Sequence, residues 1–357
     1  MIWKYEMSKL YRSPVIWILV CICLGFNILF SLSELEGREE ELRTVYEAFQ
    51  NGEVSEEFRQ QCMSLYDGLD MNNVKEIREE MADYHPSGSY GAFLDQIYDD
   101  LNERVEEIRE NGEAEQIIYP GYYYQMHGKF YQVFRLLILE MAIITVLCVL
   151  YLMDYERVSR TTDQICISVT GRKIQLVKWL CGTGMGLFFS GLLLLGTLCF
   201  WFCRVPYGNF WNVSVSAAML AEPRGIFYYP FITFKRLTVL QYLIASAGIG
   251  TALVLICALL AGAFRMFISN GYLAFLTEAG VILLLFAAGF QSTATWADVL
   301  QVCNPSILWY CCGAWFMEGN LGMSFPGAEA AGVCVQILLA GAVGSAGYLR
   351  YRRCDII

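Results

Sequence analysis

The feature that most limits what this chain can become is a set of long stretches without a single charge. Arg12 and Glu34 bracket 21 uncharged residues, Lys178 and Arg204 bracket 25, Arg236 and Arg265 bracket 28, and Glu329 and Arg350 bracket 20. A predominantly apolar run of about 18 or more residues reads as a membrane-spanning helix. Two further spans are interrupted. One, from about Phe130 to Met153, contains Arg135 and Glu140, and the other, from about Asn270 to Phe290, contains Glu278. Six spans are therefore expected, near 14–33, 131–153, 179–203, 238–264, 270–290 and 330–349. Of the 357 residues, 56% are apolar and 17% charged, against roughly 45–50% and about 25% in soluble domains. That excludes a soluble enzyme, a disordered tail and a secreted disulfide domain. The expected fold class is all-α, a polytopic membrane protein with a helical extracellular domain.

Basic residues choose the side. Lys4, Lys9 and Arg12 precede span one; Arg157, Arg160, Arg172, Lys173 and Lys178 lie between spans two and three; Arg265 follows span four; Arg350, Arg352 and Arg353 close the chain. An even number of spans puts all four segments on one side, and the positive-inside rule makes that side cytoplasmic. Lys235 and Arg236 are the exception. Segment 1–13 is then a cytoplasmic helix, 14–33 the first span, 34–130 an extracellular acidic helical domain, 131–349 the other five spans with a cytoplasmic loop at 154–178, and 350–357 a cytoplasmic tail. The expected setting is a bacterial cell membrane, multi-pass, with both termini cytoplasmic. The apolar part of span one runs about 19 residues, longer than the roughly 7–15 of a signal peptide, so it is read as retained.

Residues 33–130 hold 24 acidic and 8 basic residues, so the acidity of the whole chain (net −10) belongs to this segment. It reads as a solvated acidic surface. Within it, Leu94, Ile97, Leu101, Val105 and Ile108 recur in steps of three and four and predict one apolar helical stripe. Asn51-Gly52 and Pro86-Ser87-Gly88 break the pattern, giving a small helical hairpin or bundle on the membrane. The five tyrosines of 119–131 suit an interfacial belt.

Chemistry is scarce. There is no phosphate-binding loop, and the Gly182–Gly186 and Gly341/Gly344/Gly347 sets sit inside spans, where small residues let helices approach. His85 and His127 are isolated, and the 14 cysteines form no CxxC or paired framework. No catalytic, cofactor or metal residues are assigned, and no nucleic-acid partner. Glu278, nearer the middle of its span, is open between function and a structural hydrogen bond to a Ser or Thr of a neighbouring span; Glu140, nearer the outer edge, is open between function, snorkelling and pairing with a group on another helix.

Two cytoplasmic segments carry a family resemblance. The N-terminus, Ile2 to Pro14, has apolar Trp3, Met7 and Leu10 at i, i+4, i+7 and the string Glu6, Lys9, Arg12, Ser13. It resembles the amphipathic elbow helix of type-2 ABC exporter permeases. The loop after span two runs from Tyr155-Glu156-Arg157 through Thr161-Thr162-Asp163 and Ser168–Lys173 to Lys178, and is similar to that family's coupling segment. The resemblance implies a permease subunit without its own nucleotide site, driven by a cytoplasmic ABC ATPase subunit that holds ATP-Mg. It also implies a second permease subunit, as a homo- or heterodimer, in the lipid bilayer. The ATPase would contact Arg157, Arg160, Thr162, Asp163, Ile165, Ile167, Val169, Gly171, Arg172 and Lys173, with the elbow residues Trp3, Glu6, Lys9 and Arg12. Ile165 and Val169 share a helical face that fits either an ATPase groove or the bilayer interface. The alternatives are a mechanotransmission permease, a four-span class that six spans argue against, and an ion-coupled secondary transporter using Glu278. A scaffold or sensor without transport is a third.

Overall fold

The computed structural model describes residues 2–35, 60, 64, 66–82, 85–114, 116, 122–161, 171–205, 207–217, 222–224, 227–229, 231–290, 295–318 and 325–353. The helices, in chain order, are α1 Ile2–Tyr11, α2 Pro14–Leu35, α3 Met71–Ala82, α4 Gly88–Glu110, α5 Tyr122–Val158, α6 Ile174–Arg204, α7 Val239–Phe267, α8 Gly271–Ala288, α9 Trp296–Val299, α10 Pro305–Tyr310 and α11 Ala328–Arg353. A three-residue antiparallel pair, β1 Glu222–Arg224 with β2 Phe227–Tyr229, lies between α6 and α7. Among the described residues six helices, α2, α5, α6, α7, α8 and α11, are long and apolar enough to cross a membrane. The fold is all-α and polytopic.

Boundaries differ from the sequence reading where helix continues past the apolar run. The helix that carries span two begins at Tyr122, so Tyr122, Tyr123, Tyr124 and Tyr131 of the expected belt belong to it while Tyr119 lies outside the described residues, and it continues to Val158. Span three begins at Ile174. The last span carries Arg350, Arg352 and Arg353 on its final turn, so 350–353 is helix rather than tail. Backbone hydrogen bonding gains nothing by stopping where hydrophobicity does.

The long helix α5 is the axis of the bundle: 67% of its most apolar stretch is buried, against 17% for α8. It meets α6 closely because the facing residues are glycine. A Cβ on Gly182 would come 2.7 Å from the Val149 Cα, and one on Gly186 would come 2.7 Å from the Thr145 Cα. Gly184 faces open space and takes no part. Thr145 and Ser190 bridge the same contact through their hydroxyls at 2.8 Å. One turn closer to the start of α6, the Trp179 indole enters a slot between α7 and α11. Gly262 and Gly344 leave no room there for a Cβ, and the Trp179 Nε1–H donates to the Ala258 carbonyl at 3.1 Å.

The four basic segments gather at one end. The first turn of α1 lies beside α6, Arg265 of α7 pairs with Asp154 of α5, and Arg350 of α11 stacks on the Phe267 ring. At the opposite end, α3 and α4 pack as a hairpin, with the expected apolar stripe on α4. Ile97, Leu101, Val105 and Ile108 are buried and Leu94 partly so. This hairpin is tied to loops far away in sequence. Arg104 makes a two-pronged bond to Glu113 (3.1 and 2.9 Å) and reaches the Thr233 carbonyl, while Ser214 donates to Glu113 at 2.6 Å. Arg78 and Tyr98 bond Glu318, beside the Thr233–Met317 bridge. The cap is thus built from α3–α4 together with the loops before α7 and before α11. Burial raises the Tyr66 hydroxyl well above its ordinary range, the neighbouring Glu113 carboxylate adding to it; that hydroxyl donates to the Ser216 carbonyl.

Candidate functional site

At the basic end four charges are folded into one cluster. Tyr11 ends α1, and Pro14, whose fixed φ suits a first helical position, starts α2. The Trp17 indole donates to the Tyr11 carbonyl at 2.8 Å and fixes the corner. Held this way, α1 turns Glu6 and Leu10 inward, both essentially buried, and leaves Trp3 and Met7 exposed. The Trp3–Met7–Leu10 stripe therefore does not act as one face: only Leu10 points in. Lys9, expected beside the bilayer, is instead enclosed.

Lys9 Nζ lies 2.9 and 2.8 Å from the two Glu6 carboxylate oxygens and 2.9 Å from Glu156 Oε1. It also sits over the Tyr155 ring at 4.4 Å. The other Glu156 oxygen pairs with Lys178, which is fully buried at the start of α6. Two carboxylates and two ammonium groups thus neutralise one another. The cluster joins the elbow to the end of α5 and the start of α6. A buried charge that has lost water needs such partners.

Two residues before Glu156, Asp154 performs a parallel task for the next pair of spans. Its Oδ1 accepts from Arg265 Nε at 2.5 Å and its Oδ2 from the Gly271 backbone N–H at 2.8 Å. The last turn of α5 therefore holds α1 and α6 on one side and the α7–α8 turn on the other. Arg157 adds a bond to the Ser269 carbonyl of that turn.

Beyond Val158 the chain leaves α5 through a Schellman arrangement. Thr161 N–H bonds the Glu156 carbonyl at 2.9 Å and Arg160 N–H bonds the Arg157 carbonyl at 3.2 Å. The left-handed position is taken by Arg160, φ 56°, where glycine is usual. Thr162, Asp163, Ile165, Ile167 and Val169 lie outside the described residues. Gly171, at φ 50°, opens a single 3-10 turn, Gly171–Lys173, that leads into α6; Lys173 is exposed and the Arg172 side chain lies outside the described residues. Arg12 and Arg160 are exposed.

Sequence reasoning placed Glu6 and Lys9 at this site, took Glu156 and Lys178 only as ends of the segment similar to a coupling loop, counted Arg265 only for its charge, and gave no role to Asp154. The available signal was an acidic residue directly at the end of an apolar run inside an otherwise basic loop, with a lysine opening the next run.

The intramembrane acids have different surroundings. Glu140, half-buried on α5, accepts a bond from Asn27 of α2 at 2.7 Å, and the same amide lies 3.3 Å from Thr197 of α6. Glu140 thus pairs with a group on another helix, one of the outcomes the sequence left open. Glu278, on α8, is buried, and neither carboxylate oxygen has a hydrogen-bond partner among the described residues.

The chain matches no protein-family model, no curated protein and no solved structure with which it was compared.

Proposed function

We propose that this chain is the membrane-spanning permease subunit of an ABC exporter, paired with a second permease subunit and driven by a separate ABC ATPase that holds ATP-Mg. In this reading the basic end is cytoplasmic, as the positive-inside rule requires, and the membrane is a cell membrane. The observation that carries the proposal is the Glu6–Lys9–Glu156–Lys178 cluster. An ATPase pressing on the elbow or on 157–173 must act on groups that move with the spans. Here Glu156 is bonded to Lys9 from one side and Lys178 from the other, so α1, α5 and α6 respond as one body. Trp179, next to Lys178, passes that displacement into the slot between α7 and α11. The exposed Ile2, Trp3, Tyr5 and Met7 leave α1 an apolar outer face for the bilayer interface or a partner.

The test is co-expression of the tagged chain with ABC ATPase subunits of the same source, purification, and reconstitution in lipid. ATP hydrolysis is expected only in the complex. Hydrolysis by the permease chain alone, free of contaminants, refutes the division of labour. The ion-coupled transporter is a second reading, favoured by one observation: the enclosed, unpartnered carboxyl of Glu278.

A further inference from the structure

Among the buried carboxylates of this chain, Glu6, Glu113, Glu156, Glu318 and Glu329 each have a cation, a hydroxyl or a backbone N–H against them. Glu278 has neither an ion pair nor a hydrogen bond among the described residues, though only 2% of it is exposed. It lies on α8, which packs on α7, α5 and α10, within electrostatic reach of Cys257 of α7. The elements packed on α8 bring few other ionisable groups. Asp154 of α5 is committed to Arg265 and to the Gly271 N–H, seven residues and so about 10 Å along the helix from Glu278. Glu140 of α5 is engaged toward α2. From α10 there is only Tyr310, in contact with Arg135 and the Phe286 and Phe290 rings. A carboxylate stripped of water with no counter-charge is not a stable species in such a place, whereas the neutral acid is.

The attachment of α8 adds a second observation. It is the least enclosed of the six spans and is pinned at its ends. At the basic end its first N–H bonds Asp154. At the other end its Leu285 and Ile282 carbonyls accept from Asn304 (2.7 Å) and Ser306 (2.9 Å). Between those pins the polar side chains are Tyr272, exposed in the first turn, Thr277, which bonds its own helix at the Leu273 carbonyl, and Glu278. The middle of α8 can therefore part from α7 without breaking a polar bond, and that parting admits water to Glu278.

We infer that Glu278 is a proton-binding site within the spans: it holds a proton in the packing described and gives it to water when α8 separates from α7. The step balances as –COOH to –COO⁻ plus H⁺, with water as acceptor and no other reactant. It goes beyond the ABC reading and does not depend on it, because the carboxyl and its burial belong to the spans themselves. Asp154, two residues from Glu156 on the same turn, connects the basic end to the lower pin of α8.

The test is infrared spectroscopy of the full-length chain in lipid nanodiscs at neutral pH, read at the C=O stretch of protonated carboxyl groups. The band is expected in the wild type and in Glu140→Gln, and lost in Glu278→Gln. Glu278→Asp, should the glutamine variant fold poorly, is expected to move the band rather than remove it. On transfer to deuterium oxide the wild-type band is expected to shift to lower frequency as the proton exchanges. An unchanged spectrum in Glu278→Gln overturns the assignment. A band that never shifts in deuterium oxide overturns the release. A band abolished by adding sodium ions at constant pH identifies a cation site instead and also overturns it.

Discussion

The two ends of the molecule bury charge in different ways. At the basic end the buried ions belong to the helices that cross the membrane, or to the elbow folded against them: Lys9, Glu156 and Lys178 sit on α1, α5 and α6. At the capped end the pairs run between the hairpin and loops far away in sequence. Arg104 of α4 holds Glu113, which holds Ser214, and Arg78 of α3 holds Glu318. The first pattern makes separate spans move together. The second fastens a cover made of three chain segments. What separates the two ends is what fails when a partner is removed.

The largest effects come from leaving a buried charge alone. Glu156→Ala strands the buried Lys178 and leaves Lys9 only Glu6, while Glu113→Ala leaves the buried Arg104 only the exposed Glu107 and the Thr233 carbonyl; each is expected to lower stability by about 3–5 kcal/mol, read as thermal unfolding in detergent. The contrast lies in the rescue. Glu156→Gln combined with Lys178→Met, which removes the pair instead of breaking it, should recover most of the loss in stability while uncoupling the elbow from α6. If Glu113→Ala disturbs cleavage by protease at the basic end as much as Glu156→Ala does, the two ends are not independent and the comparison fails.

Trp179→Ala comes next, at about 3–5 kcal/mol for an emptied aromatic site. Its reverse, filling the slot with Gly344→Ala, should cost about 1–3 kcal/mol, because the Trp179 ring occupies the place of the new methyl. An unchanged melting temperature for Gly344→Ala would show that α11 yields freely and that the wedge transmits nothing.

At the capped end, Glu329→Gln weakens the bond of the Glu329 carboxylate to the Phe316 N–H, 2.6 Å long, which holds Phe316 at φ 62°. A loss of about 1.5–3 kcal/mol is expected for a bond to a charged acceptor, with faster hydrogen exchange confined to the loop before α11. Exchange that also quickens at Lys178 would contradict the separation of the ends.

The smallest effect has the opposite sign. Arg160→Gly relieves a left-handed backbone and should raise stability by about 1 kcal/mol or less. Stability gained together with unchanged ATPase coupling would make Arg160 a plain helix stop.

Much of this architecture was legible in the sequence because it is local. Uncharged runs mark spans, and the Ile97–Leu101–Val105–Ile108 spacing marks the inner face of α4 whatever it packs on. What was not legible depends on distant partners. The Trp3–Met7–Leu10 spacing pointed to an apolar inner face, yet Glu6 and Lys9 turn in because Glu156 and Lys178, about 150 and 170 residues further on, neutralise them. The cap was likewise hidden: nothing local in Arg104 announces Glu113 together with Ser214. The sequence separated Glu140 from Glu278 by depth alone; that Asn27 of another helix reaches Glu140, while Glu278 is buried without a hydrogen-bond partner among the described residues, depends on packing.

The account turns on the basic end being where an ATPase docks and pushes. The most direct measurement is the amount of ABC ATPase co-purifying with tagged wild type, Glu156→Gln and Glu113→Gln, each normalised to folded permease. The account predicts a loss of about tenfold for Glu156→Gln, equivalent to about 1.4 kcal/mol, and wild-type association for Glu113→Gln. Equal association for all three, or a loss confined to Glu113→Gln, would contradict it.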